Sequence, residues 1–304
     1  TTTSAAILYD ILRKISSNSE IRFDLKNENK LSLKSENADF NLLCLPKDNF
    51  PSFADEFEGP EIGLSKKRFL KLLNKTKISI SNDDTRHYLN GVFLHITEAH
   101  DRSFLTGVAT DSHRLSSSSL EIEKTSNFSS LILPRKTVFQ LCSLLAESTD
   151  QLSMQTGDNR IKFTLGKMKL ISKVIDGKFP DYKKVVPSTN DKTLLVSSDE
   201  FISSIERVAS VSLDRKEGVK LVINKDNVQL SVNSANSGDG NEKIKAKFNS
   251  ENLNISFNSK YLIDIASQLD GDKIEIYLKD TGSPALIKDP SDFDSIYVVM
   301  PMKG

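Results

Sequence analysis

Apolar residues recur at helical spacing in five short windows of the chain. In the window starting at Leu133 (LPRKTVFQLCSLL), Val138, Leu141, Cys142 and Leu145 fall at i, i+3, i+4 and i+7. That spacing predicts one helix with a single apolar stripe and with Pro134 in its first turn. Windows starting at Thr3 (TSAAILYDILRKI), Leu64 (LSKKRFLKLLNKT), Val196 (VSSDEFISSIERV) and Phe257 (FNSKYLIDIASQL) share the pattern. The sixth residue is apolar in every window (Leu8, Phe69, Val138, Phe201, Leu262), and so is the tenth (Leu12, Leu73, Cys142, Ile205, Ala266). The starts are 61, 69, 63 and 61 residues apart, so the chain is an internal repeat.

Between the windows the apolar period changes to two, which predicts antiparallel strands. IRFDL, KLSL and FNLLCL follow the first helix; ISIS, GVFLHIT, FLTGVATD and HRLSSSSLEI the second; QLSMQT, RIKFTLG and MKLISKVI the third. VKLVIN, NVQLSV and EKIKAKF follow the fourth, and KIEIYL, PALIK and YVVMPM the fifth. The expected fold class is therefore α+β, built from repeated helix-plus-antiparallel-sheet units. Two units pack their stripes together and join their sheets into one domain. Loop-like stretches at Pro51 to Glu61 and Asp176 to Lys192 divide the chain into 1–58, 59–187 and 188–304. Five units leave the first without a partner, and the expectation is that one more precedes Thr1.

Composition narrows the function. The apolar runs are too short for a membrane helix and the first residues lack a signal-peptide pattern, so the expected location is cytoplasmic. Cys44 and Cys142 both sit among apolar neighbours, which suits buried, reduced thiols. With 41 basic and 41 acidic residues, any binding to nucleic acid needs segregated charge.

The helices supply such segregation. Opposite the stripes stand Arg13 and Lys14; Lys66, Lys67, Arg68, Lys71 and Lys75; Arg135 and Lys136; Arg207; and Lys260. On one helix this is an ordinary solvated face. On equivalent helices of a closed series it sums to a continuous basic surface that meets a phosphate backbone. No motif for reading base sequence is present.

A catalytic reading has one foothold, Asp111 and His113, two apart and on one side if the segment is a strand. A metal-dependent hydrolase needs further ligands, and no second ligand cluster, P-loop, GxSxG or HExxH accompanies the pair.

YLNGVF (Tyr88 to Phe93), VATDSHRL (Val108 to Leu115), LPRK (Leu133 to Lys136), DGKFPDYKKVVP (Asp176 to Pro187) and YVVMPM (Tyr297 to Met302) closely resemble the bacterial β sliding clamps, the processivity subunits of DNA polymerase III. The resemblance runs in register from Thr1 to Gly304. It implies a head-to-tail homodimer ring, three similar domains per chain, with helices lining the hole and sheets outside. Six units per family chain imply that this one begins midway through its first domain. Twelve helices about 10 Å wide leave an opening of roughly 28 Å, enough for a duplex with water around it.

The resemblance further implies a non-catalytic protein with no cofactor. Its partners would be double-stranded DNA, a second copy of itself, the polymerase III alpha subunit and an ATP-driven clamp loader. Other polymerases, ligase and mismatch-repair proteins would dock by a short peptide. By similarity the peptide pocket falls on Leu89, Thr110, His113, Arg114, Leu115, Pro180, Val185, Asn258, Tyr261, Val298, Val299, Met300, Pro301 and Met302. Apolar members suit a partner's Leu or Phe, while Arg114 and Asn258 would fix its backbone or a Gln. Met300 and Met302 are expected at an adaptable strand edge.

On the DNA side the expected contacts are Arg13, Lys14, Lys67, Lys71, Arg86, Tyr88, Arg135, Lys136 and Arg207. Ring closure is expected to set Phe40 and Leu42 against Val211 of the partner subunit. The sequence departs from the family at Ser112, where glycine is usual, at Lys184, where arginine is common, and at Lys303-Gly304, where Arg-Leu often closes the chain.

Overall fold

The computed structural model describes residues 1–27, 29–50, 57–124, 128–147, 151–212 and 218–302. It divides into two units, Thr1–Glu56 and Phe57–Gly304. In the first, α1 (Ala5–Leu12) is capped by the Ser4 hydroxyl, which accepts from the Ile7 amide. The strands β1 (Arg22–Asn27), β2 (Lys30–Ser35) and β3 (Ala38–Leu43) form an antiparallel sheet in chain order. Leu33 is buried, whereas α1 has no buried residue and its stripe residues Leu8 and Leu12 are half-buried.

The second unit carries the repeat four times. It begins with β4 (Glu61–Leu64), α2 (Lys66–Lys77), β5 (Gly91–Ala99), β6 (Arg102–Thr110) and β7 (Arg114–Ile122). Next come β8 (Leu131–Pro134), α3 (Arg135–Glu147), β9 (Leu152–Thr156), β10 (Arg160–Leu165) and β11 (Met168–Lys173). Then follow β12 (Lys192–Ser197), α4 (Ser198–Ala209), β13 (Gly218–Asn224), β14 (Asn227–Ser234) and β15 (Gly238–Phe248). The chain finishes with β16 (Leu253–Asn258), α5 (Ser259–Ala266), β17 (Lys273–Leu278), β18 (Ala285–Asp289) and β19 (Asp292–Val299). No helix among the described residues is long and apolar enough to cross a membrane.

All five helices stand where the stripes predict, but each begins two residues after its window. In α3 to α5 those first residues end a strand that leads straight into the helix, and in α2 Leu64 ends β4 with Ser65 as the N-cap between them. Pro134 is accordingly the last residue of β8, paired with Gly91, and not part of a helical turn. The strand expected at ISIS is absent: Ile78 to Ser81 form the exit from α2, with Ser79 and Ile80 donating back to Thr76 and Lys77. YVVMPM is strand only as far as Val299. Of the loop expected at Pro51 to Glu61, residues 51–56 lie outside the described residues and Glu61 opens β4.

The stripes pack in pairs. α2 lies against α3 over a core that includes Phe69, Leu72, Leu73, Val138, Leu141 and Leu145. α4 lies against α5 over one that includes Phe201, Ile205, Leu262 and Ile265. Each fully buried Leu, Ile or Phe contributes about 1.5–3 kcal/mol, so these shared stripes hold the helices to the sheets. The strands form a four-stranded sheet, β11-β10-β9-β4, and a twelve-stranded sheet, β16-β13-β14-β15-β12-β17-β18-β19-β7-β6-β5-β8. The large sheet runs beneath both helix pairs and is continuous between them through one antiparallel pairing, β7 with β19.

The segment between β11 and β12 is irregular apart from a single antiparallel bridge of Ile175 to Ile132 of β8 and a 3-10 turn at Tyr182–Val185. It is fastened to β5 by rings: Phe179 stacks on Phe93 at 4.9 Å, and the Tyr182 hydroxyl lies 3.0 Å from Nε2 of His95. Burial pulls the His95 pKa down, which favours the neutral ring in this contact.

Candidate functional site

The β7–β19 pairing sets Arg114 opposite Val299, Leu115 opposite Val298, Ser116 opposite Tyr297, Ser117 opposite Ile296 and Ser118 opposite Ser295. Because strand side chains alternate, this seam has two different faces. Leu115 and Val298 share one with Leu89, Val108, Ile132, Phe179 and Leu286, a small apolar cluster separate from the two helix cores. Pro180 follows Phe179 and is exposed, as is Val185 on the 3-10 turn.

Ahead of β7 the chain turns tightly. The Asp111 carboxylate accepts from the backbone amides of His113 and Arg114 at 3.0 Å each, and from Nε of Arg114 at 3.0 Å. Thr110 Oγ1 donates to the Arg114 carbonyl at 2.7 Å and accepts from the Ser112 amide at 3.1 Å. Ser112 sits at φ +77°, a conformation that favours glycine. Its hydroxyl accepts from Arg86 at 2.6 Å, a bond that glycine cannot make.

These contacts correct the catalytic foothold. Asp111 and His113 are turn residues rather than strand neighbours, and the carboxylate is occupied by the backbone and Arg114. Among the described residues, no group of three or more His, Cys, Asp or Glu side chains converges to hold a metal.

Arg114 is buried and crosses from one helix pair's strands to the other's helix. Its guanidinium donates to Asp264 of α5 at 2.7 Å and lies 4.3 Å from the Tyr261 ring centre. Asn258 accepts from the Tyr261 amide at 3.2 Å and caps α5. The two polar groups expected to fix a bound peptide are therefore already engaged in holding the site's own walls.

Beyond Val299 the tail is tied at two points. The Met300 amide donates to the His113 carbonyl, and the Met302 amide to the Ser256 carbonyl of β16, both at 2.8 Å. Met300 and Met302 remain 41% and 38% exposed on a backbone tied by these two hydrogen bonds, and the Met302 sulfur lies close to Gly218. The structure thus brings together Leu89, Leu115 and Val298 as an apolar floor, Arg114, Tyr261 and Asn258 as a braced wall, and Met300 to Met302 as a rim joined to His113. Val299 is fully buried within the α4–α5 core. The departures expected at Lys303 and Gly304 lie outside the described residues.

Behind the seam is an ionic cluster that the sequence pattern did not reveal. Lys71 of α2 reaches Asp270 at 3.0 Å and Asp292 at 3.1 Å. Lys75, almost wholly buried, reaches the same carboxylates at 3.0 and 3.5 Å and also donates to the Gln268 carbonyl. Burial pulls the Lys71 pKa down and burial pushes that of Asp270 up, but the bonds between them prevail, leaving Lys71 raised and Asp270 lowered. Lys71 and Lys75, read as members of a phosphate-facing stripe, are instead committed to carboxylates about two hundred positions away.

The remaining expected DNA contacts differ in how free they are. Lys14, Lys67 and Lys136 are exposed. Arg13 pairs with Asp10 at 2.8 Å, Arg86 with Asp83 at 2.9 Å and Arg207 with Glu242 at 2.5 Å. Arg135 lies over the Phe139 ring at 5.0 Å. Tyr88 is half-buried against the apolar cluster. Phe40 and Leu42 are half-buried on β3, and Val211 packs against the α4–α5 core.

Family comparisons agree with this architecture. The model of the DNA polymerase III beta subunit central domain matches residues 63–181, and that of its C-terminal domain residues 183–303. The beta sliding clamp of Caulobacter vibrioides strain NA1000 is 32% identical over 304 residues, covering 99% of this chain and 82% of the relative. That of Escherichia coli K12 is 31% identical over 303 residues, covering 100% and 81%. The crystal structure of a DnaN sliding clamp from Bartonella birtlesii, bound to griselimycin, superposes with a TM-score of 0.95 at 39% identity over 99% of this chain and 81% of that one. The corresponding Pseudomonas aeruginosa structure gives 0.92 at 29% identity, covering 99% and 82%.

Proposed function

The chain belongs to the DNA polymerase III beta-subunit family, the β sliding clamps, and from that membership we propose that partner proteins dock on the β7–β19 seam. A sliding clamp is a dimeric ring around duplex DNA and acts as a processivity factor for the polymerase. Its physics is topological. A closed ring cannot leave the duplex sideways, so weak, sequence-blind phosphate contacts suffice and permit sliding.

The observation that supports the docking reading is the tied tail. Met300 and Met302 are exposed and adaptable, yet their backbone is held beside the floor of Leu89, Leu115 and Val298. A partner peptide supplies an apolar side chain to that floor while Pro180, Val185 and the methionines close over it. Partners of this kind are the alpha subunit, the clamp loader, other polymerases, ligase and mismatch-repair proteins. The clamp catalyses nothing itself and works beside the chromosome in the cytoplasm. Three domains, 1–58, 59–187 and 188–304, are the division we adopt, and two copies close through Phe40 and Leu42 against Val211 of the partner subunit.

Fluorescence titration of a labelled Gln-Leu-x-Leu-Phe peptide tests the docking site. The expected result is micromolar binding that disappears in a version ending at Val299. A folded protein that binds no peptide, or a truncation that binds equally well, overturns this site.

A further inference from the structure

Phe139 is a large apolar side chain on α3 that remains 43% exposed, and it is not bare. The Arg135 guanidinium lies over its ring at 5.0 Å and the Lys77 ammonium, from the end of α2, at 5.7 Å. Both cations are also aimed by a second contact. Lys77 donates to Oδ1 of Asn74 at 2.6 Å, and Arg135 lies 3.5 Å from the Ile80 carbonyl that it faces. Arg135, Phe139 and their neighbours Lys136 and Gln140 line one open, shallow hollow.

Among the described residues this group has no carboxylate ion-pair partner. Arg68, Lys71, Lys75, Arg86, Arg114 and Arg207 each pair with a carboxylate. Among the described residues, no carboxylate pairs with Lys77, Arg135 or Lys136. Two cations held beside one aromatic ring have given up part of their rotamer freedom and still need a counter-ion. A phosphodiester fits that need: its one negative charge is shared by two non-bridging oxygens that can each meet a cation, and the C–H face of its sugar can pack on the ring's edge.

We propose that Lys77, Arg135 and Phe139 form a preorganised cleft for one backbone phosphate of the encircled duplex, with Phe139 positioning the two cations. The inference rests on the clamp reading, in which these helices face DNA. It adds Lys77 and Phe139 to the contact surface and gives the exposed ring a purpose.

The test is the salt dependence of affinity for a labelled short duplex, measured by anisotropy on the intact chain. Lys77→Gln and Arg135→Gln each lower the slope of log K against log salt by up to about 0.9, the value for one lost phosphate neutralisation. Phe139→Leu keeps the apolar bulk and both charges, so it leaves the slope nearly unchanged but weakens binding roughly two- to five-fold. Matching thermal melting curves establish that all variants are folded. A normal slope for Lys77→Gln beside a reduced one for Arg135→Gln overturns the cleft and leaves the clamp reading intact. Unchanged affinity for Phe139→Leu overturns the positioning role. Normal slopes for Lys77→Gln, Arg135→Gln and the exposed Lys67→Gln together overturn the cleft and the reading that these helices face DNA.

Discussion

On one side of the β7–β19 pairing, Leu115 meets Val298 among aliphatic and aromatic neighbours; on the other, the same two strands are lined by hydroxyls and lie beside ionised groups. Ser79 Oγ is 2.6 Å from Ser116 Oγ, Ser118 is 2.9 Å from Ser295, and Lys71 and Lys75 reach Asp270 and Asp292 nearby. Apolar contact is non-directional, so a face built from it can rearrange around a guest. Hydrogen bonds and buried ion pairs demand particular geometry. The joint between the helix pairs is thus fixed in register from behind and built of less directional contacts in front, a combination that suits the proposed docking of varied peptides.

The rear face is therefore the one least tolerant of change. Lys75→Ala leaves Asp292, itself buried, facing Lys71 alone, and breaking a buried pair from one side costs about 3–5 kcal/mol. Denaturant unfolding measures the loss. Replacing both members, Lys75→Met with Asp292→Asn, is expected to cost less than the two single changes added together. An additive result means that the Lys75 and Asp292 charges are not coupled.

The front face loses less. Leu115→Ala removes a buried side chain from the small apolar cluster, at about 2–3 kcal/mol, near the lower end for such changes. Its effect on the peptide is expected to be proportionately greater, because the side chain lies in the floor of the proposed docking site. Peptide affinity is expected to fall about tenfold or more while Lys75→Met/Asp292→Asn retains binding. Equal loss in both proteins erases the functional distinction between the faces.

How far these faces were legible in sequence depends on the range of the interactions. The helix stripes are local, repeated at 3.6-residue spacing, and stood where expected. The short strands β4, β8, β12 and β16 were absorbed into the helix windows because four to six residues of apolar pattern do not separate strand from helix. Lys71 and Lys75 read as solvated charge because their carboxylates come from distant loops, and no periodicity announces such a pairing. Asp111 and His113 were set on one side by assuming a strand; the Asp111 bonds and the positive φ of Ser112 make a turn instead. The residues of the proposed pocket were assigned through motif order, whereas Phe139 carried no motif and shows its neighbours only in three dimensions.

Acid reaches the two faces unequally. Asp270 has its pKa lowered from 3.8 in the folded protein. Its contribution is present above the unfolded value near 3.9 and is lost as pH falls through the lower folded value. For Lys71, raised from 10.5, the contribution is present below that value and lost as pH rises through the higher folded one. The melting temperature should therefore hold across the neutral range and fall at both extremes. Asp270→Asn should flatten the acid limb, while Leu115→Ala should lower the curve without changing its shape. A variant Asp270→Asn with the parental acid limb assigns that limb to other carboxylates, such as Asp289, which is also lowered.

The smallest effect is expected where the rear face has an unfilled requirement. Tyr297 is fully buried, and among the described residues its hydroxyl has no hydrogen-bond partner. Burial, with Asp292 close by, pushes its pKa far up, so the group stays neutral and cannot relieve the cost by ionising. A buried hydroxyl without a partner costs about 1–3 kcal/mol, and its removal with the ring kept in place takes that cost away. Tyr297→Phe is therefore expected to be neutral or to stabilise by up to about 1 kcal/mol, the reverse of the Lys75→Ala result on the same face. Unfolding in denaturant decides the point. A loss above about 1 kcal/mol means that the hydroxyl is satisfied in solution and belongs to the same bonded network as Lys75 and Asp292; the rear face then has no slack at all.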